Sequence, residues 1–173
     1  GVSGFALGDI AVTSGSAGSF SSVSASEYTF AVTPAADGSV TVQVPADVAN
    51  AVAPPNNLNT ASSVYSFTYD ATKPDSSVTA ADSTVIGTTV TLDFSASDAI
   101  ALAQTALFVK GPGDSSFADS GLSVTGASGS FEYLASANGA YEFYSVATDE
   151  AGNVEDAPAG ADATAVVNLT ENG

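Results

Sequence analysis

Short runs in which every second residue is apolar constrain this chain more than any other feature. Val40-Thr41-Val42-Gln43-Val44 sets three valines on one side of an extended backbone, because successive side chains of a strand point to opposite faces. Tyr28, Phe30 and Val32 alternate with Thr29 and Ala31, and Tyr65, Phe67 and Tyr69 with Ser66 and Thr68. Val90, Leu92 and Phe94 alternate with Thr91, Asp93 and Ser95. Each run reads as a strand with one face in a core and one in water. Turn-forming clusters such as Ala36-Asp37-Gly38, Gly111-Pro112-Gly113 and Asn138-Gly139 separate them. Helix signals are nearly absent. Many short antiparallel strands between regular turns predict an all-β sandwich.

The stretch Tyr69-Asp70-Ala71-Thr72-Lys73-Pro74-Asp75 reads as a domain boundary. An aromatic strand ends there, a short Pro-containing linker follows, and a new strand series starts at Val78. Before the boundary, strands are expected near 8–13, 18–24, 27–33, 38–44 and 62–69. After it they are expected near 77–86, 88–97, 104–110, 121–125, 130–134, 140–148 and 162–170, a full complement for an immunoglobulin-type sandwich.

The side-chain inventory closes off most chemistry. Among 173 residues there are 2 Lys+Arg against 19 Asp+Glu, a formal charge of -17, and no His, Cys, Met or Trp. The cations are Lys73 and Lys110. Serine triads, Cys-His pairs and zinc sites need His or Cys, and phosphoryl transfer needs a Lys-bearing glycine loop or an Arg clamp. Such an acidic chain repels nucleic acid and anionic membranes, and no apolar run reaches the roughly 18–20 residues of a membrane span. With 45% apolar residues it has ample material for cores. No catalytic function is expected. Without any Met, Gly1 is expected to follow a cleavage or a truncation.

Hard-cation binding is the chemistry these residues supply best, since calcium takes oxygen ligands from carboxylates, amides and carbonyls. In an immunoglobulin-type sandwich the loop after the sixth strand, holding Asp149 and Asn153, shares one end with the loop after the second, holding Asp98. The linker acids Asp70 and Asp75 belong to that end too. Asp70, Asp75, Asp98, Asp149 and Asn153 are therefore expected to converge on calcium at the domain junction. The competing reading is that Asp149 to Asn153 forms a tight turn, for which Asp and Asn are favoured. The matching loop of the first domain, 49–59, has no carboxylate, and no second site is expected there. Asn168-Leu169-Thr170 is a glycosylation sequon on the presumed last strand.

Residues 1–75 resemble a bacterial immunoglobulin-like repeat found in tandem in large surface proteins. The resemblance lies in Gly4-Phe5-Ala6-Leu7-Gly8-Asp9-Ile10-Ala11-Val12, Tyr28-Thr29-Phe30-Ala31-Val32-Thr33-Pro34 and Asp37-Gly38-Ser39-Val40-Thr41-Val42, with the Thr68-Tyr69-Asp70 and Pro74 junction. Residues 76–171 resemble a second such repeat, or a fibronectin-III-like one, most clearly over Tyr141–Glu155. The resemblance implies two tandem immunoglobulin-like β-sandwich domains, 1–72 and 73–173. It also implies that roughly two strands normally precede the Gly4-Phe5 segment, so the first domain lacks its N-terminal strands. Those strands belong to the parent protein, or a neighbour supplies one by β-strand addition. The expected role is a secreted, cell-surface structural module, a repeat or subunit of a fibre, filament or long adhesin. Its partners would be copies of itself or neighbouring repeats, with no nucleic acid and no membrane insertion. The alternative is a glycan- or ligand-binding accessory module of a secreted enzyme.

Overall fold

A computed structural model describes residues 1–54 and 57–169. Along that length the chain is all-β, with one 3-10 turn at Leu7–Asp9 and no α-helix among the described residues. It forms two compact units, Gly1–Asp70 and Ala71–Gly173.

The first unit runs through β1 (Val2–Ser3), β2 (Ala11–Thr13), β3 (Gly15–Ser24), β4 (Glu27–Pro34), β5 (Gly38–Gln43), β6 (Asn50–Ala51) and β7 (Tyr65–Tyr69). β2, β5 and β7 make an antiparallel sheet in that order, with Val12 opposite Val42 and Val40 opposite Phe67. β3 and β4 form a separate hairpin, and β1 pairs with β6 over two residue pairs. The expected alternation is present along β4, where Tyr28, Phe30 and Val32 are half-buried and Thr29, Ala31 and Thr33 exposed. Phe5, Phe20 and Tyr28 cluster with ring centroids 5.1–5.6 Å apart. Yet among the described residues of this unit the buried apolar side chains are Ile10, Val40 and Ala49.

The second unit contains β8 (Asp75–Ala80), β9 (Thr84–Ile86), β10 (Thr89–Ser97), β11 (Leu102–Lys110), β12 (Ala118–Val124), β13 (Ser128–Leu134), β14 (Gly139–Asp149) and β15 (Ala163–Asn168). One sheet has the order β13-β10-β8, the other β12-β11-β14-β15-β9. Every pairing is antiparallel except β15 with β9, which is parallel. Val78, Val90, Leu92, Phe94 and Phe131 from the first sheet meet Leu107, Val109, Tyr141, Phe143, Ala165 and Val167 from the second in one core. Such burial stabilises by about 1.5–3 kcal/mol for a side chain the size of Leu92 or Phe143. Alternation decides which residues enter it: in β10, Val90, Leu92, Phe94 and Ala96 are buried while Thr89, Asp93, Ser95 and Ser97 are exposed.

The expected single strand over 77–86 is instead two, in different sheets. Ala81 still donates its N–H to the Thr91 carbonyl, but the chain then bends, and Val166 donates to the Ser83 carbonyl as β9 joins β15. β8 thus ends one sheet and β9 ends the other. Where the Asn138-Gly139 turn enters β14, Gly139 has φ +133°, and a Cβ there would lie 2.8 Å from Pro112 Cγ. Glycine is required by both facts.

Candidate functional site

Two places in the molecule carry more than packing: the acidic loop end of the second unit and an apolar groove in the first. At the loop end, Asp98 follows the last residue of β10 and Asp149 is the last residue of β14. Each offers a carboxylate oxygen within 4.8 Å of the other. Like charges this close repel, and the local backbone spends most of their acceptor capacity. Asp98 Oδ2 accepts from the N–H groups of Ile100 (2.7 Å) and Ala101 (3.1 Å). Its Oδ1 is buried and has no hydrogen-bond partner.

Asp149 is 2% exposed. Oδ1 accepts from Asn153 N–H at 2.8 Å and Oδ2 from the Asn153 amide nitrogen at 2.7 Å. Burial acts to raise the pKa of this carboxyl, but the hydrogen bonds from Asn153, Gly152 and Ala151 outweigh it and hold the group below its ordinary value of 3.8. The turn therefore keeps Asp149 charged.

Of the expected ligand set, the structure thus brings together Asp98, Asp149 and Asn153. Asp75 opens β8, exposed to solvent, its Cα paired with that of Ser97, and it stands outside the gathered carboxylates. Asp70 is the last residue of the first unit. The 49–59 loop of that unit is tied by an amide. Asn59 Oδ1 accepts from Val48 and Ala49 N–H at 2.9 and 2.8 Å, and its nitrogen donates to the Pro45 carbonyl at 2.7 Å. Residues 55 and 56 of that loop, and Thr170 of the sequon, lie outside the described residues.

Two carboxylates that sequence reasoning did not single out do structural work in the second unit. Glu155 accepts from Ser76 N–H at 2.9 Å and from Ala147 N–H at 2.8 Å. Asp162 accepts from Val78 N–H at 3.3 Å and Ser145 N–H at 3.2 Å. Both bridge the edges of β8 and β14 where no ladder joins them. The residues served, 76 and 78 or 145 and 147, are two apart, the spacing of donors on one edge of a strand. Nothing periodic marks Glu155 or Asp162 in the sequence, since the β8 positions they serve are 79 and 84 residues away.

The groove of the first unit has a volume of about 510 Å³ and is lined by Phe30 and Val32 of β4, Val42 of β5, and Tyr65 and Phe67 of β7. Tyr65 is 66% exposed. Among the described residues β4 has a strand neighbour on the β3 side alone, and β7 is an edge of its sheet.

No protein-family model matches this sequence, and no curated protein matches it. No helix among the described residues is long and apolar enough to cross a membrane.

Proposed function

We propose that the chain is a non-catalytic, load-bearing module of an extracellular fibre, filament or long adhesin, built from immunoglobulin-like sandwiches. The observation that carries this reading is the parallel pairing of β9 with β15, Thr84 to Val166 through Ile86 to Asn168. β9 lies near the start of the second unit and β15 near its end. Tension applied to the two ends of this unit pulls parallel neighbours in opposite directions along their length. Their hydrogen bonds then bear load together, in shear, whereas an antiparallel hairpin pulled from its open end loses them one at a time.

The immunoglobulin-like character rests on strand order and on one tyrosine. Tyr141 sits near the start of β14, and its hydroxyl accepts from Ala137 N–H at 3.1 Å and donates to the Ala137 carbonyl at 3.2 Å. A tyrosine bonded back to backbone a few residues upstream, at this strand, is a hallmark of such sandwiches. The extracellular setting rests on composition, a chain of charge -17 without a thiol. A divalent cation, calcium by its taste for oxygen, is proposed beside the unpartnered Asp98 Oδ1 and the Asp149 carboxylate. Such an ion would relieve their repulsion.

Force spectroscopy on concatenated copies tests the load-bearing role. Each second unit should unfold in one step, lengthening the chain by about 350 Å for residues 71–173, less the folded span. Val85→Pro, which removes an N–H beside the parallel ladder, should lower the unfolding force. A unit that yields at forces typical of unzipped hairpins, or an unchanged force in the proline variant, would defeat the proposal.

A further inference from the structure

We infer that the groove of the first unit is the acceptor for one extended polypeptide strand, which pairs antiparallel with the free edge of β4. This rests on the structural-module reading in taking completion by β-strand addition as the purpose of the opening, and it specifies the site, the edge and the chemistry of the donor.

The lining has the form of a strand site. Phe30 and Val32 are two residues apart on β4, as are Tyr65 and Phe67 on β7. The groove therefore presents period-two apolar stripes rather than the few converging polar groups that orient a small ligand. Along β4, alternate N–H and C=O groups point away from β3, and among the described residues no strand pairs with them. An open edge beside an apolar floor satisfies both needs of an incoming strand, main-chain pairing and pockets for alternate side chains.

The second unit supplies the template. Its β11-β14-β15 order matches β2-β5-β7 of the first, and β13 precedes β14 in the chain as β4 precedes β5. There the free edge of β13 is covered by β10, antiparallel, with Leu92 opposite Phe131. Val90, Leu92 and Phe94 of β10 fill the core at 0–4% exposure. Among its described residues the first unit has no strand in that position. The missing occupant is thus a segment with aliphatic or aromatic side chains at alternate positions.

Its source lies outside the described residues. Among the described residues the alternating segments are already paired within β4, β5, β7, β8, β10, β11, β14 and β15. Charge narrows it further. The first unit holds Asp9, Glu27, Asp37, Asp47 and Asp70 and neither Lys nor Arg, so flanks that are neutral or basic are favoured.

The test uses the intact chain and a synthetic peptide copying residues 88–97 with Asp93→Lys, against a scrambled peptide of equal composition. Fluorescence anisotropy should show the alternating peptide binding at least about tenfold tighter. Hydrogen exchange should show new protection along β4. Tyr65→Ser, at an exposed lining position that the fold can spare, should weaken peptide binding about tenfold. Equal binding of both peptides, protection elsewhere than β4, or no binding would overturn the inference. So would self-association of the chain that the peptide fails to compete, since the occupant would then be a second copy. Loss of the shear response of β9 and β15 would defeat the load-bearing proposal while leaving a positive peptide result standing.

Discussion

The two units are written in the same alternating code and use it to different depths. Among the described residues, sixteen apolar side chains are buried in the second and three in the first. The strands themselves are comparable: β4 carries Tyr28, Phe30 and Val32 at alternate positions, as β10 carries Val90, Leu92 and Phe94. Alternation specifies that a strand has an apolar face. Burial of that face depends on a second sheet standing opposite, and in the second unit β8 and β10 provide it. The difference is one of covering strands, not of strand quality.

The most severe test of that contrast compares equal truncations in the two units. Phe143→Ala, in a site of 0% exposure, should cost about 3–5 kcal/mol, because lost burial and an unfilled cavity add. Phe30→Ala should cost about 1 kcal/mol, because its ring already borders open space and leaves no new void behind. Urea denaturation followed by circular dichroism, with single-residue NMR probes in each unit, reads both. Equal costs would mean that the first unit is closed in solution, and the comparison would fail.

Calcium sharpens the contrast from the other side. The second unit has a gathered carboxylate pair at its loop end; the 49–59 loop of the first carries none. Added calcium at a hundred times its dissociation constant should stabilise the second unit alone, by about 2.7 kcal/mol. Melting in calcium and after chelation measures this, and a midpoint that ignores both would reduce Asp98 and Asp149 to turn chemistry.

A smaller effect is expected at the β8–β14 seam. Glu155→Gln keeps the shape of the side chain but turns one acceptor into a donor facing the N–H groups of Ser76 or Ala147. An unsatisfied donor there should cost about 1–3 kcal/mol. Glu155→Gln as stable as the wild type would show that water replaces the carboxylate and that the seam is not sealed by it.

How much of this was legible in the sequence follows from what each feature depends on. The all-β class was, because period-two alternation is local: Val40 and Val42, or Leu92 and Phe94, announce their face without reference to anything distant. The split of 77–86 into β8 and β9 was not, since nothing near Asp82 says that one half will pair with β10 and the other with β15. Asp98, Asp149 and Asn153 were foreseen as neighbours because loop positions follow from strand count. Asp75 was expected at the same end; the β8–β10 register pairs it with Ser97 and leaves it exposed. Glu155 and Asp162 escaped notice because their partners, Ser76 and Val78, lie some eighty residues away.

The finest difference between the units is how each ties its loop, and it should appear as pH. In the first, Asn59 holds Val48, Ala49 and Pro45 with an uncharged amide, which has no proton to gain in acid. In the second, Asp149 does the corresponding work as a carboxylate. Desolvation pushes its pKa up, but the Asn153 side chain and the N–H groups of Asn153, Gly152 and Ala151 prevail, and the pKa lies below 3.8 in the folded state. A depressed carboxyl favours the fold at every pH above its unfolded value, and that contribution drains away as pH falls through the lower, folded value. In chelator, NMR titration of Asp149 should therefore give a midpoint below that of an ordinary aspartate. Asn153→Ala, lacking the amide donor, should move it upward and weaken the second unit at neutral pH. Acid should loosen the Asp149 turn while leaving the Asn59 loop intact. An Asp149 that titrates at or above 3.8 in the wild type would mean that burial outweighs the hydrogen bonds, and the contrast between a charged and a neutral tie would lose its consequence.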